Sequence, residues 1–418
     1  MAKIKKIIAR EILDSRGMPT IEAIVQLEDG AVGGFATPSG ISVGKHEAVE
    51  LRDGDSSRFG GHGVLKALEN ILTFLAPALI GKDASNQLEM DKIMIQIDGT
   101  DNKSKMGANS ILALSGAIAR AQAASLKLTL YQYISMLLSS QKSNQFSIPT
   151  PMFNILNGGK HGGGNIDFQE FLIVPPRANS YSQNLKTGVE IYYSLKEVIT
   201  NHSGITLLGE EGGYAPTLYS NSDAFKILEE AVTRAGYTLG LDTFLSVDVG
   251  SSTFMKGGVY KIKDRPVGLT ASEFIDFFVA LNEQYHLLSL EDPLSEDDWD
   301  GWHKMTEAMG EKTIIVGDDL ITTNMERLKK AIDKKSCNGI IIKPNQVGTI
   351  SETLDVVKAA KAANFKTIVS HRSGETDDDF IADFAVGIGS DYAKFGAPAR
   401  GERVAKYNRL LAIEHELS

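Results

Sequence analysis

The sequence predicts an α/β protein in two parts: a C-terminal barrel of the (β/α)8 kind, and before it a smaller α+β region. Two observations carry this. From residue 148 onward, short apolar runs recur, and most end on a charged or titratable side chain. Helical patterns such as Met325 to Asp333 and Ile350 to Ala363 lie between them. Repeated strand–helix units with continuously apolar strands make a parallel sheet covered by helices. Seven or eight such units fit a closed barrel of about 250 residues.

The N-terminal region reads differently. Thr20 to Leu27 alternates apolar and polar residues as a half-buried strand does, and Asp29-Gly30 supplies a turn. Thr37 to Gly44 is a Gly/Ser-rich loop without an apolar period. Residues 62–138 switch to helical spacing, with Leu65, Leu68, Ile71, Leu72 and Leu75 at threes and fours. Asn109 to Leu126 is rich in Ala and Leu and lacks Pro, the composition of a long buried helix. The polar stretch Ser139 to Gln145 is the best linker, so the expected domains are residues 1–138 and 139–418.

In the barrel region the run 244–247 ends at Asp248, 287–290 at Glu291 and 313–317 at Asp318. The run 339–342 ends at Lys343, 366–370 at His371 and 391–393 at Lys394. Gln169 to Val174 and Thr206 to Gly209 are the earlier strand candidates. In a parallel barrel the C-terminal strand ends surround one mouth, where the active site sits. A single strand-end charge is usually a solvated loop residue; six in succession point to convergence.

Three carboxylates without thiolate or imidazole form a hard oxygen set suited to Mg²⁺. Packed together, they need a cation among them. A lysine beside Mg²⁺ and another cation is expected to have a lowered pKa, useful for a base. Arg372 of the segment 371–374 can hold a phosphate with two parallel bonds. The Gly-rich stretches 157–165 and 209–214 carry Glu211 and lead to Glu170. Paired carboxylates opposite a lysine suit proton work on two faces of a substrate. The plain alternative for both stretches is flexible turns.

Composition narrows the field. The 418 residues carry 43 basic and 53 acidic side chains, a net charge of −10. That balance argues against nucleic acid as the main ligand. The lone Cys337 permits no internal disulfide and no thiolate zinc cluster, as expected of a reducing compartment. No stretch reads as a targeting segment or membrane span, so a cytoplasmic protein is expected.

The residues resemble the enolase family along nearly the whole chain. The motifs run in order: DSRG (14–17), PSGISVG (38–44), HEAVELRDGD (46–55), DGTDNKSKMGAN (98–109), NGGKH (157–161), QEF (169–171) and GEEGGYAP (209–216). They continue with SLEDPL (289–294), GDDL (317–320), IKPNQVGT (342–349), SHRSGET (370–376) and AKYN (405–408). The resemblance implies an enolase-type barrel with an irregular ββαα start and an N-terminal α+β capping domain. It implies Mg²⁺-dependent, reversible dehydration of 2-phosphoglycerate to phosphoenolpyruvate, a hydro-lyase step of glycolysis.

By motif, Asp248, Glu291 and Asp318 would hold a first Mg²⁺, and Ser42 a second that arrives with substrate. Lys343 would be the base at C2, and Glu211 the acid at the C3 hydroxyl, with Glu170 beside it. Lys394 would bind near the substrate carboxylate, Arg372 and Ser373 the phosphate, while His161 and His371 border the site. The implied assembly is a homodimer, or an octamer of dimers, and a secondary surface or secreted pool is a family trait.

The chain departs from the family pattern at Val43, Thr253, Phe395 and Gly401. Phe395 adjoins a substrate-binding lysine, and its ring is expected to point into the barrel wall. An acid-sugar dehydratase on the same barrel, and a purely binding or scaffold role, are the competing readings. Arg372 with its neighbours, the 209–214 stretch and the Ser42 loop favour the first reading over the dehydratase.

Overall fold

A computed structural model describes residues 2–40, 44–139, 145–164, 166–202 and 204–418. Ser42, Val43, Asn165 and linker residues 140–144 lie outside them.

The N-terminal part begins as an antiparallel sheet of β1 (Ile4–Leu13), β2 (Pro19–Leu27) and β3 (Val32–Ala36), with β2 in the middle. Alternate β2 residues, among them Ile21, Ala23, Val25 and Leu27, are fully buried, as the sequence pattern requires. That face packs on α4 (Ala108–Ser125), whose small residues allow close approach. A side chain at Gly33 would collide with the α4 backbone at Ala117 and Ala121.

The remaining helices are α1 (Leu65–Asn70), α2 (Ala76–Leu79), α3 (Gln87–Asp98) and α5 (Leu130–Ser139). A π turn over Ile71–Leu75 joins α1 to α2. Ile71 and Leu75 are buried, while Leu65 and Leu72 stand in solvent.

The second part is a closed eight-stranded barrel. Its strands are β4 (Thr150–Asn157), β5 (Glu170–Val174), β6 (Phe244–Asp248), β9 (Ser289–Glu291), β10 (Ile314–Gly317), β11 (Gly339–Ile342), β12 (Lys366–Ser370) and β13 (Tyr392–Lys394). The hairpin β7 (Met255–Lys256) and β8 (Val259–Tyr260) stands apart from it. Strand β5 runs antiparallel to both neighbours; every other pair is parallel. The chain therefore starts β4–β5–α6 (Tyr181–Asn201)–α7 (Asn221–Arg234) before single strand–helix units take over.

One sequence expectation is corrected here. Thr206 to Gly209 is not a barrel strand; it makes only an isolated bridge at Leu208, and Leu207 is exposed. The position belongs to β4, which the sequence reading did not single out.

The helices of the regular units are α8 (Ala271–Tyr285), α9 (Trp299–Met309), α10 (Met325–Lys334), the short α11 (Pro344–Val347), α12 (Ile350–Ala362), α13 (Phe380–Gly387) and the final α14 (Gly401–Leu417). Their starts follow local chemistry. Thr270 and Glu273 form a capping box at α8, and the Asn324 side chain accepts two amides at α10.

Met152, Leu172, Val174, Val316, Ile341 and Ile368 form a separate buried cluster. They come from strands around the ring and fill its interior. The larger core lies between barrel, helices and the N-terminal part.

The N-terminal part caps the barrel mouth. Ser39 and Gly374 exchange backbone hydrogen bonds at 2.7 and 2.9 Å, and the Ser15 amide donates to Glu375 O at 2.6 Å. Arg120 on α4 pairs with Asp378 and Asp379, just beyond β12. Among the described residues no helix is long and apolar enough to cross a membrane.

Candidate active site

The barrel register assembles the site. Glu170 at the start of β5 pairs with Asp248 at the end of β6, and Asp248 pairs with Glu291 at the end of β9. Because β5 is reversed, its first residue sits at the same mouth as the last residues of the parallel strands. Asp318, Lys343 and His371 directly follow β10, β11 and β12, and Lys394 ends β13. In the ring order β11 lies opposite β5, so Lys343 faces Glu170 across the mouth.

A cavity occupies the centre. Glu170, Glu211, Lys343, Arg372, Ser373 and Lys394 line it, as do His161, Asp248, Asp318 and His371. Glu291 does not; both its oxygens bond the Lys394 ammonium, at 2.8 and 2.9 Å.

Lys394 is the hub. Its Nζ also lies 3.1 Å from Glu170 Oε2 and 3.5 Å from Asp248 Oδ2, and the side chain is 2% exposed. Burial pulls its pKa down, but Glu170, Glu291 and Asp248 outweigh that and hold it well above the usual lysine range. One cation does not balance this many acids. Burial, reinforced by Glu170 and Asp318, pushes Asp248 up to about 6 against the pull of Lys394. Burial and Asp248 likewise raise Glu291 well above the carboxylate range.

Lys343 forms a close ion pair with Asp318. Burial lowers its pKa, but Asp318 more than offsets this and the lysine is raised. The lowering expected from sequence assumed a cation that would spend Asp318; with the acid turned on the lysine, the sign reverses. Asp318 itself accepts from Gln346 Nε2 at 3.0 Å. Its amide and that of Asp319 donate to Asp292, at 3.0 and 2.9 Å. Asp292 holds that posture in a left-handed conformation, φ +42°.

On the other side, Glu211 sits in the loop between α6 and α7. Asn154 Nδ2 on β4 donates to Glu211 Oε2 at 3.0 Å, and His371 Nε2 lies 3.3 Å from the same oxygen. His161 Nδ1 lies 3.3 Å from Glu170 Oε1 and 3.8 Å from Glu211 Oε1. Burial pulls His161 down, but Glu211, Glu170 and Asp248 prevail and hold it at about 9, charged at neutral pH. Burial works to raise Glu211, yet His161 and His371 outweigh it and keep its carboxyl well below the ordinary range.

Arg372 is buried with its fork turned on Glu47, Nη1 at 2.8 Å and Nη2 at 3.3 Å, and Nη1 also donates to Asn345 at 3.0 Å. Phe395 is fully buried against Tyr407, with ring centres 5.8 Å apart, so its bulk points into the wall as expected. Thr253 bonds the Gly250 carbonyl, and Gly401 opens α14 in free space. Asn154, Glu47, Asp292, Gln346 and Arg403 were not found by sequence reasoning. Arg403 lies two residues before the AKYN motif, which is the nearest signal; the others act through contacts between distant segments.

Two groups of side chains among the described residues place three ligand atoms within 4.8 Å of one another: His161–Glu170–Glu211, and Asp292–Asp318–Asp319. The predicted trio Asp248–Glu291–Asp318 is not such a group; two of its members share Lys394 and the third holds Lys343. The donor chemistry still fits a hard divalent cation. Three buried carboxylates stand at the mouth ends of successive strands β6, β9 and β10, and burial together with neighbouring acids raises the pKa values of two of them, Asp248 and Glu291.

A capped barrel whose mouth holds buried carboxylates, two lysines and an arginine around one cavity has the make-up of an enzyme active site, with acidic clusters able to hold a metal. Residues 4–134 match the family description "Enolase, N-terminal domain", and residues 145–418 match "Enolase, C-terminal TIM barrel domain". The chain belongs to the enolase family, and with it to the lyases of that superfamily.

Proposed function

We propose that this protein interconverts 2-phosphoglycerate and phosphoenolpyruvate plus water, with Lys343 as base at C2 and Glu211 as acid at the C3 hydroxyl. The observation that carries the reading is the placement of two proton-handling groups on opposite sides of one cavity. Lys343 directly follows β11, while Glu211 is bonded to β4 and adjoins Glu170 and His161.

Removing a proton from carbon next to a carboxylate builds charge on a group that is already anionic. Lys394, with Nζ fixed among three carboxylates, supplies one positive charge at that place. Arg372 and Ser373 would take the phosphate, which must draw Arg372 from Glu47. Asp248, Glu291 and Asp318 would hold Mg²⁺, with Ser42 serving a second ion that comes with substrate. When bound, such ions supply Lewis-acid stabilisation of the developing charge. A cation on Asp318 would weaken that carboxylate's hold on Lys343 and lower the lysine toward a useful base.

His161 and His371 hold the Glu211 carboxyl well below the ordinary range, which favours its ionised form at neutral pH. An incoming phosphorylated acid adds negative charge nearby and raises Glu211 toward protonation, the form that delivers a proton to the departing hydroxyl.

Solvent exchange separates the two roles. In deuterated water, Glu211→Gln should still exchange the C2 proton while forming no phosphoenolpyruvate. Lys343→Ala should lose both. Exchange by Lys343→Ala at the parent rate would refute the assignment.

A further inference from the structure

Arg403, near the start of α14, has no solvent exposure. Its Nη1 donates to the Arg372 carbonyl at 2.6 Å and contacts His371 Nδ1 at 2.7 Å; its Nη2 donates to the Ser373 carbonyl at 2.6 Å. A guanidinium has only N–H donors and does not lose its proton in proteins. His371 Nδ1 must therefore offer its lone pair, and the ring's one proton belongs on Nε2. Nε2 is the nitrogen 3.3 Å from Glu211 Oε2.

We propose that Arg403 is a positioning residue that locks His371 as the Nε2–H tautomer, making His371 a fixed hydrogen-bond donor to Glu211 rather than a proton carrier. Protonating His371 would place a second N–H at Nδ1, directly against the guanidinium. The charged groups acting on His371 are Glu211, Glu170 and Glu375 on the acidic side and Arg403 on the basic side. Burial, together with Arg403, holds its pKa below the usual histidine value despite Glu211.

The backbone is built for this contact. Gly396, at φ +89°, lies where a Cβ would come 2.8 Å from Glu211 O, 3.0 Å from His371 Cε1 and 3.1 Å from Arg403 Cδ. Its carbonyl accepts from Tyr407 Oη at 2.6 Å, which fixes the turn. His161, by contrast, turns its Nδ1 on two carboxylates, Glu170 and Glu211. The two histidines beside the acid thus have different tasks, one charged and one neutral.

The proposal deepens the reading of Glu211 as the acid and rests on it. The test is nitrogen NMR of the ¹⁵N-histidine-labelled full chain, with His371 assigned by its loss in His371→Gln. From about pH 5 to 8, where an ordinary histidine titrates, Nδ1 should keep a pyridine-type shift and Nε2 a pyrrole-type shift. A titrating His371, or a protonated Nδ1, overturns the lock in the parent protein whatever the variants do.

Arg403→Met should release the tautomer and lower kcat about 10- to 100-fold, the range for groups that orient a directly acting residue, with KM within about threefold. Arg403→Lys keeps one donor and should retain the tautomer and most of kcat. A folded Arg403→Met that stays in the Nε2–H form assigns the lock elsewhere and overturns the role of Arg403. If Arg403→Met does not fold, the same comparison is read from Arg403→Lys: loss of the tautomer there overturns the proposal. Absence of 2-phosphoglycerate turnover in the parent protein, with the tautomer locked, would reject the functional reading and leave the lock standing.

Discussion

Replacing Lys394 with Met removes the one ammonium that, among the described residues, touches Glu170, Asp248 and Glu291. The side chain is 2% exposed, so water cannot take its place. Breaking a buried ion pair by deleting one partner costs about 3 to 5 kcal/mol, because the other charge is left unpaired. Here three acids share the loss, so the upper end is expected at alkaline pH. The sign follows from the raised pKa values of Asp248 and Glu291, which rise further without Lys394. A carboxyl raised in the folded state leaves stability intact below its unfolded value, about 4. That stability is lost as pH rises through the folded value.

The deficit of Lys394→Met should therefore be near zero at about pH 4 and largest above about pH 7. Urea unfolding in chelator, followed across pH, reads it. Adding Mg²⁺ should recover about 2.7 kcal/mol at a hundredfold excess over its dissociation constant, if the acids accept the ion in place of the ammonium. A variant within about 1 kcal/mol of the parent at alkaline pH, or a deficit independent of pH, would refute the reasoning.

Two further outcomes follow from the geometry. Asn154→Ala removes the 3.0 Å donor to Glu211 Oε2 and should lower kcat about tenfold or more, with little change in KM; steady-state kinetics with an unfolding curve will separate this from a loss of fold. Asp91, buried between α3 and α12 and bonded to Gln87 and the Ser351 amide, is pushed up to about 6 by burial. It should cost the protein about 3 kcal/mol as pH rises from about 4 to above 6, and Asp91→Asn should flatten that slope in unfolding measurements.

The barrel was legible because its parallel strands are apolar runs that close on a charge. Five of the six strand-end residues from Asp248 to Lys394 line the cavity, and the sixth, Glu291, bonds Lys394 beside it. The rule fails where direction reverses. Strand β5 brings its first residue, Glu170, to the mouth, so no run ends there. Strand β4 closes on Asn157 rather than on a charge, while the run at 206–209 imitates a strand although Leu207 is exposed. The residues that orient the acids were least legible. Asn154 reaches Glu211, and Arg403 reaches His371, across long stretches of chain, and neither residue is unusual in its local sequence. Asp292 reads as one more acid in a motif; only its left-handed backbone and two accepted amides reveal that it holds Asp318.

The most direct test of the functional account is the absorbance of phosphoenolpyruvate formed from 2-phosphoglycerate by the purified chain, with Mg²⁺ and again after complete chelation. The account predicts turnover that needs the divalent ion and is abolished in a folded Lys343→Ala variant. No product with Mg²⁺ present, or turnover unchanged after its removal, would contradict it.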